Sequence, residues 1–94
     1  MTIPEGARIE RTQSVLFSDL EGSTVMMDID SGNYYELDKT SARIWSLLEA
    51  PQTLAELCRS LEREFEVDDE TCRGDTSAFL LKLSELGLVT ISQP

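Results

Sequence analysis

The spacing of apolar residues changes once along this 94-residue chain, and that change constrains its fold more than any other feature. Before Asp38, Val25, Met27 and Ile29 occupy alternate positions, which is typical of a strand with one buried face. After Asp38, apolar residues recur every third or fourth position, which is helical spacing. Strands followed by helices predict an α+β domain in which the helices cover one face of a small sheet.

Three strands are predicted in the first half of the chain. Residues 14–20 form a short apolar run, residues 21–23 favour a turn, and the alternating segment follows. The DSGN segment, residues 30–33, favours a hairpin connection because its glycine can adopt a positive φ. Residues 34–37, YYEL, complete a three-stranded antiparallel meander. This last strand has one predicted partner, so its other edge stays open unless something covers it.

Three helices are predicted in the second half. Asp38 is an N-cap for the first, Thr53 with Glu56 forms a capping box for the second, and Gly87 ends the third. The second helix has one apolar face, made by Leu54, Leu57, Cys58, Leu61 and Phe65. The third has another, made by Cys72, Thr76, Phe79, Leu80, Leu83 and Leu86. Helices two and three, joined by a short link, predict a winged helix-turn-helix whose wing is the sheet.

The first residues of the chain show no apolar period. Residues 1–13 contain Pro4 and Gly6 among scattered charges and are predicted to be a loose N-terminal arm. The domain is predicted to span residues 14–92, with residues 88–92 as a short strand or an extended tail. The chain shows neither the apolar core of a signal peptide nor an apolar run of about 18 residues. We therefore expect a cytoplasmic protein with no membrane partner.

The chain is acidic. Its formal net charge is −10, from 18 acidic and 8 basic side chains, and the basic residues are scattered. A polyanion partner requires clustered Lys and Arg. The third helix, which would be the recognition helix of a DNA-binding protein, offers Arg73 and Lys82 against several acids. We expect no nucleic-acid partner, and neutral or basic partners instead.

The residue types argue against an enzyme. There is no histidine, which excludes Ser–His–Asp and Cys–His catalysis and most zinc sites. Cys58 and Cys72 lie among apolar residues of helical patterns and are expected to be buried, reduced thiols, with a disulfide as the alternative. The acids of residues 28–38 lack the calcium-loop pattern. We expect no catalytic residue, no metal and no cofactor.

Two tyrosines stand side by side in the predicted edge strand. Tyr34 and Tyr35 point to opposite faces because neighbouring strand residues do so. One is expected to pack inward, and the other is either an ordinary surface tyrosine or part of a binding surface. Trp45, on the apolar side of the first helix, is expected to join that helix to the sheet in the core.

The third helix has a second feature beside its apolar face. Asp75, Ala78 and Lys82 recur at helical spacing next to Phe79. This flank is either solvated or one wall of a groove beside the last strand. Leu81 points nearly opposite the apolar face and is expected to have no role in the core.

An ordered set of short motifs resembles the PqqD-like family. The resemblance extends over roughly residues 24–90 and rests on the order of the motifs. The motifs are G-x-Y-Y-x-L at 32–37, I-W-x-L-L at 44–48, T-x-x-E-L at 53–57, F-x-V at 65–67, D-x-x-x-F-L-x-x-L at 75–83 and G-L-V at 87–89. Gly74 and the polar Thr76 depart from the usual third-helix pattern.

The resemblance implies a winged helix-turn-helix that does not bind DNA. Such domains bind the leader of a ribosomally made, post-translationally modified precursor peptide and present it to a modifying enzyme or leader peptidase. They serve pyrroloquinoline quinone or lasso-peptide synthesis. The leader is held as an added strand in a cleft against helix three. On this chain the peptide-binding residues would be Tyr34, Tyr35, Glu36 and Leu37 on the strand, with Asp75, Ala78, Phe79 and Lys82 on the helix.

Elementary energetics agree with strand addition. A guest strand would form about four to six backbone hydrogen bonds on an open edge, each contributing about 0.5–1.5 kcal/mol. The same edge could pair with a second copy of the chain and give a homodimer. The alternative functions are a transcription-related winged helix that works by protein contact and a structural domain of a larger enzyme.

Overall fold

The computed structural model describes residues 3–4, 6–13, 15–20 and 23–93. The elements, in chain order, are β1 (Arg8–Arg11), β2 (Val15–Leu20), β3 (Ser23–Asp28), β4 (Tyr34–Leu37), α1 (Lys39–Leu47), α2 (Leu54–Glu64), α3 (Asp69–Glu85) and β5 (Val89–Ser92). The predicted α+β arrangement, an antiparallel sheet β2-β3-β4 followed by three helices, is confirmed. Of the turn predicted at residues 21–23, residues 21 and 22 lie outside the described residues, and Ser23 is the first residue of β3.

The three-stranded sheet is antiparallel with β4 at one end. Met27 lies opposite Tyr34, and Thr24 lies opposite Leu37. The β3–β4 hairpin closes where the Asp28 N–H donates to the Asn33 carbonyl at 3.0 Å. Gly32 has φ +76°, the positive value expected of the glycine in this turn. The hairpin thus fixes the register that places β4 at the edge.

The buried face of β3 is the reverse of the predicted one. The spacing placed Val25, Met27 and Ile29 inward, but Met26 is 0% exposed and Ile29 is 52% exposed. The helices cover the face that holds Thr24 and Met26. Because β3 has apolar residues on both faces, a period of two shows that a strand exists without showing which face is buried.

The prediction of a loose arm over residues 1–13 is wrong for the part that forms β1. Arg8–Arg11 pairs antiparallel with Val89–Ser92, and Ile9 is fully buried. Ile9 also exchanges backbone hydrogen bonds with Gln52 at 2.8 and 3.1 Å. The physical reason for the error is that RIER contains one apolar residue and its partner strand lies at the other end of the chain.

Local sequence signals fix the starts of α1 and α2 and the end of α3. The Asp38 carboxylate accepts from the Ser41 N–H at 2.8 Å at the start of α1. The predicted capping box of Thr53 and Glu56 forms at the start of α2. At the end of α3, the Leu88 N–H donates to the Leu83 carbonyl at 2.9 Å and Gly87 has φ +76°. This is a Schellman motif, which satisfies the last carbonyls and turns the chain into β5.

The core lies between the helices, the inner face of the sheet and β1. Trp45 is 1% exposed, as predicted, and the Arg11 guanidinium lies 4.8 Å from its ring centre and donates to its carbonyl. Leu81 is partly buried against the core, contrary to prediction. The reason is that α3 contacts β5 as well as α2, so more than one side of this helix is covered.

The two cysteines are buried and free, as predicted. The Cys72 Sγ lies 3.9 Å from the Thr76 Oγ1, so the polar Thr76 has a partner in the core. Burial, together with the neighbouring Cys72 thiol, raises the pKa of Cys58 to about 12. None of the helices in the described part of the chain is long and apolar enough to cross a membrane.

Candidate functional site

The candidate site begins with the open edge of β4. The strand has β3 as its neighbour on one side, and α1 follows it directly through Asp38. Its side chains alternate in exposure: Tyr34 is 71% exposed, whereas Leu37 is 9% exposed and belongs to the core. Tyr35 is half-buried against the core, and Glu36 is exposed. The two tyrosines therefore face opposite sides, with Tyr35 inward.

The predicted residues of α3 form a largely exposed flank. Asp75, Ala78 and Lys82 are exposed, and Phe79 is half-buried and packs against the core. Their exposed charges are mixed, because Asp75 is acidic and Lys82 is basic. Phe79 therefore offers an apolar contact between charged neighbours, and a bound peptide could cover it.

A small cavity lies between α1, α2 and α3 near the end of β4. Its volume is about 150 Å³. The lining residues are Thr40, Leu61, Phe65, Val67, Cys72, Asp75 and Thr76. Cavities of about this volume with apolar walls can hold a benzene-sized group. Leu61, Phe65 and Val67 are the apolar walls of this cavity, and Thr76 adds one buried hydroxyl. Asp75 and Thr40 are exposed, so the cavity suits one apolar side chain entering from solvent.

The cavity brings together only part of the predicted site. Asp75 lines the cavity directly, and Thr40 lies three residues beyond Leu37, which brings the cavity to the end of β4. Ala78, Phe79 and Lys82 lie further along α3 and do not line it. The residues Tyr34, Tyr35, Glu36 and Leu37 also stand outside its walls.

Sequence reasoning missed several cavity residues. Leu61 and Cys72 were assigned to the core alone, and Thr40 was not considered. The position of Thr40 in the first turn after the Asp38 cap was the available signal, because that turn stays next to the strand that precedes it. The other walls come from different helices and depend on how those helices pack.

The outer face of the sheet holds an apolar row beside the open edge. Leu16 lies opposite Met27, and Met27 lies opposite Tyr34, so one row crosses all three strands. Leu16 is 54% exposed, so the row is accessible along with Tyr34. A strand added to β4 would extend this row by one residue.

The described residues include no group of three or more His, Cys, Asp or Glu side chains arranged to hold a metal ion. The acids near the β3–β4 hairpin instead have local hydrogen-bonding roles. The Asp28 carboxylate accepts from the Asp30 N–H at 3.1 Å and from the Ser31 hydroxyl at 3.0 Å. These contacts stabilise the turn that sets the β4 register.

One comparison with known proteins identifies a family, and a second finds similar solved structures. A family model described as Coenzyme PQQ synthesis protein D (PqqD) matches residues 23–89. No curated protein sequence matched the chain. The solved structure of TbiB1 in complex with the TbiA(beta) leader peptide is similar, with 29% identity, a TM-score of 0.78, and coverage of 85% of this chain and 93% of that one.

A second solved structure, lasso peptide synthetase B1 complexed with the leader peptide, gives a similar result. It shares 25% identity and a TM-score of 0.75, over 87% of this chain and 96% of that chain. In both comparisons the similarity extends over almost the whole of the solved chain. The family match spans β3 to the start of β5 and so includes the open edge and all three helices. This chain belongs to the PqqD family.

Proposed function

We propose that this protein binds the leader segment of a ribosomally made precursor peptide and presents it to a modifying enzyme or leader peptidase. The observation that supports this most directly is the open edge of β4, in a fold shared with two proteins solved with leader peptides bound. The leader adds as a strand to Tyr34–Leu37 and lies against the α3 flank of Asp75, Ala78, Phe79 and Lys82.

The energetics require side-chain contacts as well as backbone pairing. Four hydrogen bonds at about 0.5–1.5 kcal/mol each contribute about 2–6 kcal/mol. Ordering a disordered segment costs about 2–5 kcal/mol or more, so the backbone alone roughly balances that cost. Apolar contacts with half-buried Tyr35 and Phe79, and with the 150 Å³ cavity, supply the net affinity.

The adaptor role is supported by the chemistry of the described side chains. The chain contains no histidine to act as a general base. Burial raises the pKa of the Cys58 thiol to about 12, so its nucleophilic thiolate is scarce at neutral pH. Two acids, Asp69 and Glu70, occupy the first turn of α3, which a recognition helix would insert into the strongly negative major groove of DNA. We therefore assign neither catalysis nor nucleic-acid binding.

The direct test is a titration with a synthetic leader. The probe is the leader half of the short peptide encoded nearest to this gene, followed by backbone amide shifts in NMR, with a scrambled peptide of the same composition as control. Shifts concentrated along Tyr34–Leu37 and residues 75–83 are expected. Absence of any shift at large excess of this leader, with shifts induced by DNA instead, would refute the proposal.

A matched pair of charge reversals tests the helical half of the site. Asp75 and Glu85 are both exposed on α3, but only Asp75 lines the cavity beside β4. Asp75→Lys should change leader affinity more than Glu85→Lys, although both change the net charge equally. Equal effects of the two substitutions would show that α3 acts only through the overall charge.

The open edge also suggests a competing self-association. Two copies could pair through β4 in the absence of peptide, because unpaired strand edges pair with one another. Such a dimer should dissociate when the leader occupies the edge. Light scattering with and without the leader measures this, and a dimer that persists with bound leader would place the contact elsewhere.

A further inference from the structure

We infer that the β4 edge accepts a peptide as an antiparallel strand in one reading frame, in which two guest residues, two positions apart, pair with Tyr34 and Glu36 and cannot be proline. The guest residue between them has no hydrogen bond to β4 and directs its side chain toward the helices. This inference rests on the proposed function and specifies which leader segments the edge can hold.

The frame follows from one hydrogen bond and the strand register. The Asp28 N–H donates to the Asn33 carbonyl at 3.0 Å, while the Asp28 carbonyl accepts from the Gly32 N–H of the turn at 2.7 Å. The pair of Asp28 and Asn33 is therefore of the hydrogen-bonded type, with one of its two bonds formed across the strands. The β3–β4 register continues with Met27 opposite Tyr34 and Met26 opposite Tyr35. In an antiparallel ladder, hydrogen-bonded and non-hydrogen-bonded pairs alternate.

The alternation decides where each backbone group of β4 points. Tyr35 and Leu37 belong to hydrogen-bonded pairs, so their N–H and C=O groups point to β3. The same groups of Tyr34 and Glu36 point to the open edge. These two residues therefore offer two N–H donors and two C=O acceptors to a guest strand. They can form four backbone hydrogen bonds, the lower end of the about four to six expected from the sequence.

Both ends of β4 limit the acceptors of the edge to the carbonyls of these two residues. On one side, the Asn33 carbonyl is already used by Asp28. On the other side, the Asp38 carbonyl accepts from the Ala42 N–H at 2.9 Å, and α1 begins. A longer guest strand would extend past β4 without further regular pairing to it.

The frame also assigns faces to the guest side chains. Directly opposed residues of a sheet share a face, so guest residues paired with Tyr34 and Glu36 face outward. There they meet the apolar row of Leu16, Met27 and Tyr34 at one position and the Glu36 carboxylate at the other. An apolar residue beside Tyr34 and a Lys or Arg beside Glu36 suit this surface.

Proline distinguishes the guest positions sharply. At either paired position a proline has no N–H to donate, so the β4 carbonyl opposite it would be left without a hydrogen-bond donor. At the middle position the N–H points away from β4, so proline removes no bond there. The edge therefore selects extended segments that exclude proline at two positions and tolerate it at the one between.

The first experiment uses hydrogen exchange and begins with the free protein. The amides of Tyr34 and Glu36 should exchange rapidly, whereas those of Tyr35 and Leu37 should be protected by β3. Adding the synthetic leader should protect Tyr34 and Glu36 selectively. Protection of Tyr34 and Glu36 in the monomeric free protein, or their failure to gain protection when leader is bound, would overturn the frame.

The second experiment scans the synthetic leader by replacing one backbone N–H at a time with N-methyl. Two positions, two apart, should each lose roughly tenfold in affinity, because each replacement removes a hydrogen bond to the edge. The position between them should change by less than about threefold, since its N–H is free. A loss at adjacent positions, or no alternation, would refute the frame.

The outcomes separate this inference from the proposed function. Leader binding without the alternating pattern would refute the frame and leave the leader-binding role intact. Absence of leader binding would refute the role, while the exchange rates of the free protein would still confirm or refute the direction of the β4 backbone groups.

Discussion

Replacing Gly74 with alanine should stabilise the free protein, although Gly74 lies in the middle of α3. A glycine in a helix interior costs about 1 kcal/mol relative to alanine, because its unfolded backbone has more freedom to lose. Nothing lies within 4 Å of the position that a Cβ would occupy at Gly74, and its φ is not positive. The added methyl therefore meets no clash, and the full propensity gain is expected.

The expected gain is about 1 kcal/mol, which corresponds to a Tm rise of about 4–8 °C for a domain of this size. Urea unfolding measures it as a shift of the midpoint with an unchanged m-value. Gly87→Ala is the matched control. Gly87 has φ +76° in the turn after α3, so the same substitution there should destabilise the protein. Failure of Gly74→Ala to stabilise would show that α3 is not a regular helix at this point.

Three further predictions test the edge, the β1–β5 sheet and the buried thiol. Tyr35→Ala or Phe79→Ala should weaken leader binding by about tenfold or more, as measured by calorimetry. Glu36 is exposed, so Glu36→Ala should change the leader affinity by less than about fivefold. A larger effect at Glu36 would contradict binding through the backbone of the edge. Ile9→Ala should lower the free energy of unfolding by about 2–5 kcal/mol in urea, whereas a change below about 0.5 kcal/mol would contradict the burial of β1. The pKa of Cys58 is raised from 9.0 to about 12, so between these pH values the folded state keeps the thiol proton and the unfolded state loses it. The free energy of unfolding should therefore be unaffected by this group below pH 9 and should fall as the pH rises from 9 toward 12. In the Cys58→Ala variant the free energy of unfolding should fall less steeply over the same range, as measured by urea unfolding.

The elements predictable from the sequence are those whose signals are local. The capping box of Thr53 and Glu56, followed by apolar residues on one face, specified α2 with its start. The turn around Gly32 specified the β3–β4 hairpin, and with it the edge position of β4. In each case the residues that form the structure are within about one or two helical turns or one hairpin of each other.

The errors concern contacts between distant parts of the chain. Ile9 pairs with Ile91, and no local pattern in either four-residue strand predicts that pairing. The buried face of β3 was reversed because Met26 and Met27 are equally apolar, and the packing of the helices decides between them. The cavity could not be predicted for the same reason, since Thr40 and Cys72 meet only after the helices have packed.

The sequence separation between β1 and β5 has a consequence for how the protein folds. The hairpin with the β4 edge involves residues close in sequence and can assemble while the chain is still being synthesised. The β1–β5 sheet joins residues about 80 positions apart, so β1 waits for its partner until Val89–Ser92 have been made. During that interval a nascent chain already presents its open edge but has not closed its core. A leader or a second nascent chain that reaches the edge then meets it before the fold is complete.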